Sequence, residues 1–155
     1  MTATPIAHVW LIGHIALSVL SYLAFLVAGI SGILFLVQER QLKAKHVGRL
    51  FHSIPSLAAL DQLNLWAIAL GFALFTLALG CGVAGRHAAA GRWLLEPTEG
   101  LAYVTWGLYA ALLVVRLLST LRGHKVALLS VLGFGLALFT FVGVHLLLPA
   151  WHAVL

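Results

Sequence analysis

Eight histidines are the residues of this sequence best suited to chemistry, and they are nearly as numerous as its nine lysines and arginines. Neutral imidazole ligates haem iron and transition metals well. No spacing among the histidines and the single cysteine, Cys81, matches a zinc site, and no C-x-x-C-H motif for covalent haem attachment occurs. No nucleophile with an adjacent base is recognisable either, so the sequence offers no independent catalytic site.

The composition indicates that these histidines belong to a membrane protein. Of 155 residues, 63% are hydrophobic and 8% are charged, whereas soluble domains have about 25% charged residues. This excludes a soluble enzyme, a disordered chain and a disulfide-stapled secreted module. A helix needs about 20 apolar residues to cross the hydrocarbon core, and four stretches are long enough, at about 11–37, 63–84, 101–121 and 126–148. The sequence therefore predicts an all-α membrane protein, a four transmembrane helix bundle in which residues 1–155 form a single domain.

Glycines inside the predicted spans are expected to let helices approach one another closely. Six of them have this role in the prediction: Gly29, Gly32, Gly80, Gly82, Gly133 and Gly135. Close packing of this kind is expected for a compact up-and-down bundle.

Basic residues predict the orientation of the bundle, because cytoplasmic loops are enriched in lysine and arginine. Seven of the nine follow the first span or surround the turn between the third and fourth spans: Arg40, Lys43, Lys45, Arg49, Arg116, Arg122 and Lys125. Both termini are therefore predicted on the outer, periplasmic side of a bacterial inner membrane. The basic charge indicates positive-inside bias with contact to anionic lipid rather than nucleic-acid binding.

This topology divides the histidines into two groups. Three are predicted to be solvated residues of cytoplasmic loops: His46, His52 and His124. Five are predicted in the outer half: His8, His14, His87, His145 and His152. A cofactor held between the first and fourth helices by one histidine from each is one interpretation. The other is that each ring hydrogen-bonds water, a lipid headgroup or a backbone carbonyl.

The loop between the second and third spans contains an ordered motif. It reads W-L-L-E-P-T-E-G-L-A-Y-V-T-W from Trp93 to Trp106, and it resembles the tryptophan-rich external loop W-x-W-D-P-K-E-x-W-A-L-I-T-W of the cytochrome c assembly proteins. These are CcsA-like and HemX-like integral membrane haem-handling proteins. Further similar segments flank the loop: His14–Ala16, Ser21–Tyr22, Ile54–Leu57, Leu60–Asn64, Ala69–Phe72, Leu74–Leu77, Gly133–Phe134 and Leu138–Val144. The resemblance covers most of the chain, although full-length members have more spans.

The resemblance implies a cofactor and its ligands. In the family, two external histidines that flank the loop ligate haem, and by motif position they correspond to His14 and His152. His145 stands where the family usually has asparagine, which makes it an alternative ligand. Trp93 and Trp106 would contribute aromatic faces for the porphyrin of a non-covalent haem b.

The implied role is haem handling for cytochrome c maturation, or that of a haem-bearing subunit in a membrane redox complex that transfers electrons. Either role implies membrane-protein partners. The alternative is a non-haem scaffold, an assembly subunit or a regulator of haem synthesis. Two departures from the family favour the redox subunit over the role in haem handling. Leu95, Thr98 and Leu101 replace two tryptophans and the lysine of the loop, and Val114 stands where the family has an intramembrane histidine.

Overall fold

The computed structural model describes the backbone of residues 5–44, 55–90, 97–118 and 123–147, and it describes side chains over 8–44, 55–88, 100–118 and 123–140. Within these ranges the chain forms four α-helices and no strand: α1 (Pro5–Lys43), α2 (Leu57–Ala90), α3 (Pro97–Leu118) and α4 (His124–Leu147). The predicted all-α fold is confirmed for the described residues.

Three of the helices are long and apolar enough to cross a membrane, over His8–Lys43, Leu57–Ala88 and Gly100–Leu118. The part of α4 with described side chains, His124–Thr140, is apolar but shorter than a full span. The chain is therefore a multi-pass membrane protein.

Helices α1 and α2 extend beyond the predicted spans at both ends. At 39 and 34 residues they are about 58 and 51 Å long, well over the roughly 30 Å of a hydrocarbon core. The apolar stretch in a sequence marks only the part of a helix in contact with lipid. The backbone hydrogen bonds continue into the polar interface, where side chains such as Glu39 and Lys43 can be solvated.

Successive helices run antiparallel, as two contacts for each pair show: His14 with Gly82 and Phe25 with Gly71 between α1 and α2, Asn64 with Arg116 and Thr76 with Trp106 between α2 and α3, and Thr105 with Thr140 and Tyr109 with Gly133 between α3 and α4. A Cβ on Gly71 of α2 would lie 2.6 Å from the ring of Phe25 in α1, and a Cβ on Gly29 of α1 would lie 2.7 Å from the ring of Phe134 in α4. Close approach is confirmed at four of the six glycines singled out above: Gly29, Gly32, Gly82 and Gly133. At Gly80 and Gly135 an added Cβ would meet nothing within 4 Å.

An aromatic layer formed by Phe25, Phe75 and Tyr109 fills the middle of the bundle. The rings of Phe25 and Tyr109 stack with centroids 3.8 Å apart, and the edge of Phe75 meets Phe25 at 5.9 Å. All three side chains are buried. An edge-to-face pair such as that of Phe25 and Phe75 adds about 0.5–1.5 kcal/mol beyond the burial of its area.

The aromatic layer separates two ends, named here by their most informative residues. The histidine end contains the start of α1 with His14, the end of α2, the start of α3 and the end of α4. The arginine end contains the end of α3 with Arg116 and the opposite ends of the other three helices. Each end is therefore built from all four helices.

Candidate functional site

His14 lies in the interface between α1 and α2. Its Nδ1 is 2.7 Å from the backbone oxygen of Ala78, and the side chain is half-buried. A carbonyl oxygen can only accept a hydrogen bond, so Nδ1 carries the hydrogen and donates it. In the neutral ring, Nε2 then has the lone pair, and this is the state in which a histidine ligates a metal.

Gly82 provides the space for this ring. A Cβ at Gly82 would lie 3.0 Å from Nδ1 and 3.2 Å from Cε1 of His14. Gly82 is four residues after Ala78, on the same face of α2. The Ala78 carbonyl has two lone pairs, so it can accept from the helix and from the imidazole together.

The other predicted histidines of the outer half fall in different places. His8 on α1 and His87 on α2 are exposed at the histidine end. His145 belongs to the last turn of α4, also at the histidine end, but its side chain lies outside the described residues. His152 lies outside the described residues altogether. The structure therefore gives side-chain geometry for one of the three candidate ligands.

Of the two candidate tryptophans, Trp106 lies within the described residues and Trp93 lies outside them. The Trp106 indole Nε1 donates to Thr76 Oγ1 at 3.0 Å, and its ring packs against Phe72 at 5.5 Å. Trp106 thereby joins α3 to α2 on the histidine side of the aromatic layer. Because its indole N–H already has a hydrogen-bond acceptor, the part of Trp106 that could contact a ligand is the surface of its ring.

The residues with described side chains contain no group of three or more histidine, cysteine, aspartate or glutamate side chains able to hold a metal ion. A haem needs less from the protein, since the porphyrin supplies four nitrogens and the chain supplies axial ligands. His14 is a residue of the type that supplies such an axial ligand. Cys81, the neighbour of Gly82, is half-buried against α1, where its Sγ would be 3.7 Å from a Cβ on Gly13.

At the arginine end, sequence reasoning missed a buried polar network centred on Asn64. The Asn64 amide nitrogen donates to Ala28 O at 2.8 Å and to Ser31 Oγ at 3.3 Å, both in α1. Its Oδ1 accepts from Arg116 Nη1 of α3 at 2.8 Å and from Ser130 Oγ of α4 at 3.0 Å. One α2 side chain therefore joins all four helices.

Arg116 brings a charge into this network. Its side chain is 5% exposed, and Nη2 lies 3.0 Å from the Asp61 carboxylate while also donating to the Asp61 backbone oxygen. A guanidinium is too costly to bury in a membrane without such partners. The signal in the sequence was the presence of Asn64 and Arg116 near the ends of otherwise apolar stretches. It identifies polar residues that need partners, but not which residues provide them.

The structure corrects the prediction that His124 is a solvated loop residue. It is the first residue of α4, and its Nδ1 lies 2.7 Å from Glu39 Oε2 of α1, while Lys43 Nζ lies 2.7 Å from Glu39 Oε1. The helix begins here because Gly123, with φ of 79°, makes the left-handed turn before it. The histidine is exposed, as predicted, but it has a partner on another helix.

Comparison with known proteins adds to this geometry. The family model described as "Cytochrome C assembly protein" matches residues 3–152. A protein named cytochrome c biogenesis protein CcsA from Guillardia theta is 29% identical over 93% of this chain and 53% of its own length. A protein of the same name from Prochlorococcus marinus (strain MIT 9301) is 30% identical over 93% of this chain and 53% of its own length. Another from Chlamydomonas reinhardtii is 29% identical over 93% of this chain and 40% of its own length.

The chain thus spans about half the length of these relatives. No solved structure gives a significant match.

Proposed function

Because this chain belongs to the cytochrome c assembly protein family, we propose that it binds a non-covalent haem b at its histidine end and serves cytochrome c maturation. The relatives' names assign them to cytochrome c biogenesis. The observation that carries the haem proposal is the hydrogen bond from His14 Nδ1 to Ala78 O at 2.7 Å. It selects the tautomer whose Nε2 can bind iron.

The second axial ligand in this proposal comes from the chain at or after the end of α4. His152 is the first choice, because it matches the family motif, and His145 is the alternative. Trp93 and Trp106 would contribute aromatic contacts to the porphyrin. When bound, the haem supplies an iron able to change its redox state, while the protein holds and orients it.

The orientation of the molecule belongs to the same proposal. Four helices would cross the bilayer, with the histidine end on the outer side and the arginine end on the cytoplasmic side. The described lysines and arginines support this, because Arg40, Lys43, Arg116 and Lys125 lie towards the arginine end and Arg86 alone towards the histidine end. In a bacterium the membrane would be the inner membrane, with other membrane proteins of cytochrome c assembly as partners.

A permanently haem-bearing subunit of a redox complex is the second candidate, and Val114 favours it. This residue stands on α3 where the family has its intramembrane histidine, and its side chain is exposed on the surface of the bundle. Valine offers no ligand for moving haem through the bilayer. A retained haem that transfers electrons would not need one.

The visible spectrum of the detergent-purified protein tests the haem proposal. We expect a Soret band and the reduced α-band of six-coordinate haem b, both lost in a His14→Ala, His152→Ala double variant. His87→Ala is the matched control, because His87 is an exposed histidine at the same end. Colourless protein purified from haem-replete cells would overturn the proposal.

The same spectra identify the second ligand. If His152 is the ligand, His152→Ala converts the spectrum to a five-coordinate form and His145→Ala leaves it unchanged. The reverse result would assign His145. Haem that dissociates readily to an apo-cytochrome would support maturation, whereas haem that stays bound through reduction and reoxidation would support electron transfer.

A further inference from the structure

Three side chains of α1 lie against glycines of α2, and one of these contacts is polar. The rings of Phe25 and His14 occupy the notches at Gly71 and Gly82, and the Cβ of Trp10 lies against Gly85. The contacts of Phe25 and Trp10 are packing contacts. At Gly82 the ring that fills the notch also donates a hydrogen bond to the same helix.

We propose that Gly82 is a positioning residue that sets the tautomer and orientation of His14, so that Nε2 is prepared for iron before haem arrives. The inference rests on the proposed function and adds to it the residue that controls its first ligand. The Ala78 carbonyl specifies which nitrogen carries the hydrogen, and the missing side chain at Gly82 allows that nitrogen to come within 2.7 Å of it.

The distances show why a methyl group at this position has a specific consequence. A Cβ at 3.0 Å from Nδ1 and 3.2 Å from Cε1 is tighter than most Cβ contacts, so the ring must move away by a few tenths of an ångström. Movement away from α2 lengthens the bond to Ala78 O, and a hydrogen bond weakens steeply as its distance and angle deteriorate. As that bond weakens, the preference for hydrogen on Nδ1 falls and the second neutral tautomer gains population.

Gly80 provides a matched control on the same helix. It lies two residues before Gly82, and an added Cβ there would meet nothing within 4 Å. Glycine-to-alanine substitution raises helix propensity equally at both sites, by up to about 1 kcal/mol. Any difference between the two variants therefore reports the contact with His14.

The first experiment needs no haem. Full-length protein with ¹⁵N-labelled histidine is studied in detergent by NMR, and the His14 signals are assigned with a His14→Leu variant. We expect the hydrogen on Nδ1 in the wild type and in Gly80→Ala, and a mixture of tautomers in Gly82→Ala. An unchanged His14 tautomer in Gly82→Ala, or an equal change in Gly80→Ala, would overturn the proposal.

A double-mutant cycle separates this effect from a general packing defect. In a His14→Ala background the imidazole is gone, so adding Gly82→Ala should raise the unfolding midpoint as much as Gly80→Ala does. In the wild-type background Gly82→Ala should raise the midpoint less than Gly80→Ala, because it also weakens the contact with His14. An equal effect of Gly82→Ala in both backgrounds would show that Gly82 acts through something other than His14.

The third measurement links positioning to haem. Changes in groups that orient a metal ligand typically lower affinity by about 10- to 100-fold, and we expect a loss of that size in Gly82→Ala and none in Gly80→Ala. Unchanged affinity in Gly82→Ala would contradict the proposal. If the wild type shows the predicted tautomer but takes up no haem, the haem function fails while the positioning of His14 stands.

Discussion

The polar network around Asn64 at the arginine end and the half-buried His14 at the histidine end differ in how their hydrogen-bonding groups are used. At the arginine end, Asn64 makes four hydrogen bonds to three other helices, and the Arg116 guanidinium is shared between Asn64 and Asp61. Every partner belongs to the chain itself. At the histidine end, His14 makes one hydrogen bond, to Ala78, and the described residues provide no other for its ring.

This difference separates a polar group whose hydrogen bonds are all made within the fold from the one for which we propose a ligand. A satisfied network in a membrane holds the helices in one register, because any sliding would leave polar atoms facing hydrocarbon. Asn64 and Arg116 fit that role. In His14 one imidazole nitrogen is held by the backbone and the other has no hydrogen-bond partner among the described residues, and this is the arrangement on which the haem proposal rests.

The largest expected effect comes from removing the centre of the network. Asn64→Leu should lower the free energy of unfolding by about 3 kcal/mol, since it eliminates four hydrogen bonds worth about 0.6–1.7 kcal/mol each in membrane proteins. Unfolding in mixed detergent–SDS micelles, followed by far-UV circular dichroism, measures this. The control is Gln62→Leu, because Gln62 is exposed two residues earlier on the same helix. Equal losses of unfolding free energy in the two variants would show that the hydrogen bonds of Asn64 do not stabilise the arginine end.

Removal of one arm of the network should have a smaller effect. Ser130→Ala deletes the hydroxyl that donates to Asn64 Oδ1, but that oxygen still accepts from Arg116. We expect a loss of about 1 kcal/mol in the same unfolding assay. If Ser130→Ala is as damaging as Asn64→Leu, the network depends on α4 rather than on α2.

The histidine end should respond in the opposite way, with little loss of stability and loss of the six-coordinate spectrum of the proposed haem. His14→Leu removes a single hydrogen bond, so we expect about 0.6 kcal/mol of destabilisation together with loss of six-coordinate haem absorbance. Asn64→Leu protein that remains folded should keep its haem. A large stability loss with retained colour in His14→Leu would show that His14 is a structural residue like Asn64.

The smallest effect is expected at the exposed contact between α1 and α4. His124→Ala removes the partner of Glu39 Oε2, but Lys43 continues to pair with the other carboxylate oxygen. Exposed ion pairs of this kind contribute little, so the loss should stay below about 0.5 kcal/mol and shrink further at high salt. If His124→Ala lowers the free energy of unfolding more than Ser130→Ala does, the exposed contact between α1 and α4 contributes more to stability than an arm of the buried network.

Much of the fold was predictable from apolar stretches alone, because about 20 apolar residues in a row leave the backbone no option but a helix in lipid. The order of elements and the antiparallel arrangement follow from short connections. Helix ends were less predictable, as α1 and α2 show, because hydrogen bonding continues past the lipid boundary. His124 shows the same limit, since a residue between two spans can still begin a helix and find a partner.

For the candidate site, the sequence by itself determined the residue types: histidines in a chain that is otherwise apolar, the degenerate tryptophan motif, and the polar side chains near the ends of the spans. Only the tertiary structure decided which of them are satisfied. Asn64 and Arg116 are 52 residues apart in sequence and His14 and Ala78 are 64 apart, and no local pattern encodes either pairing. Helix packing brings these atoms within 3 Å, so packing decides whether a buried polar group joins helices or remains able to bind a ligand.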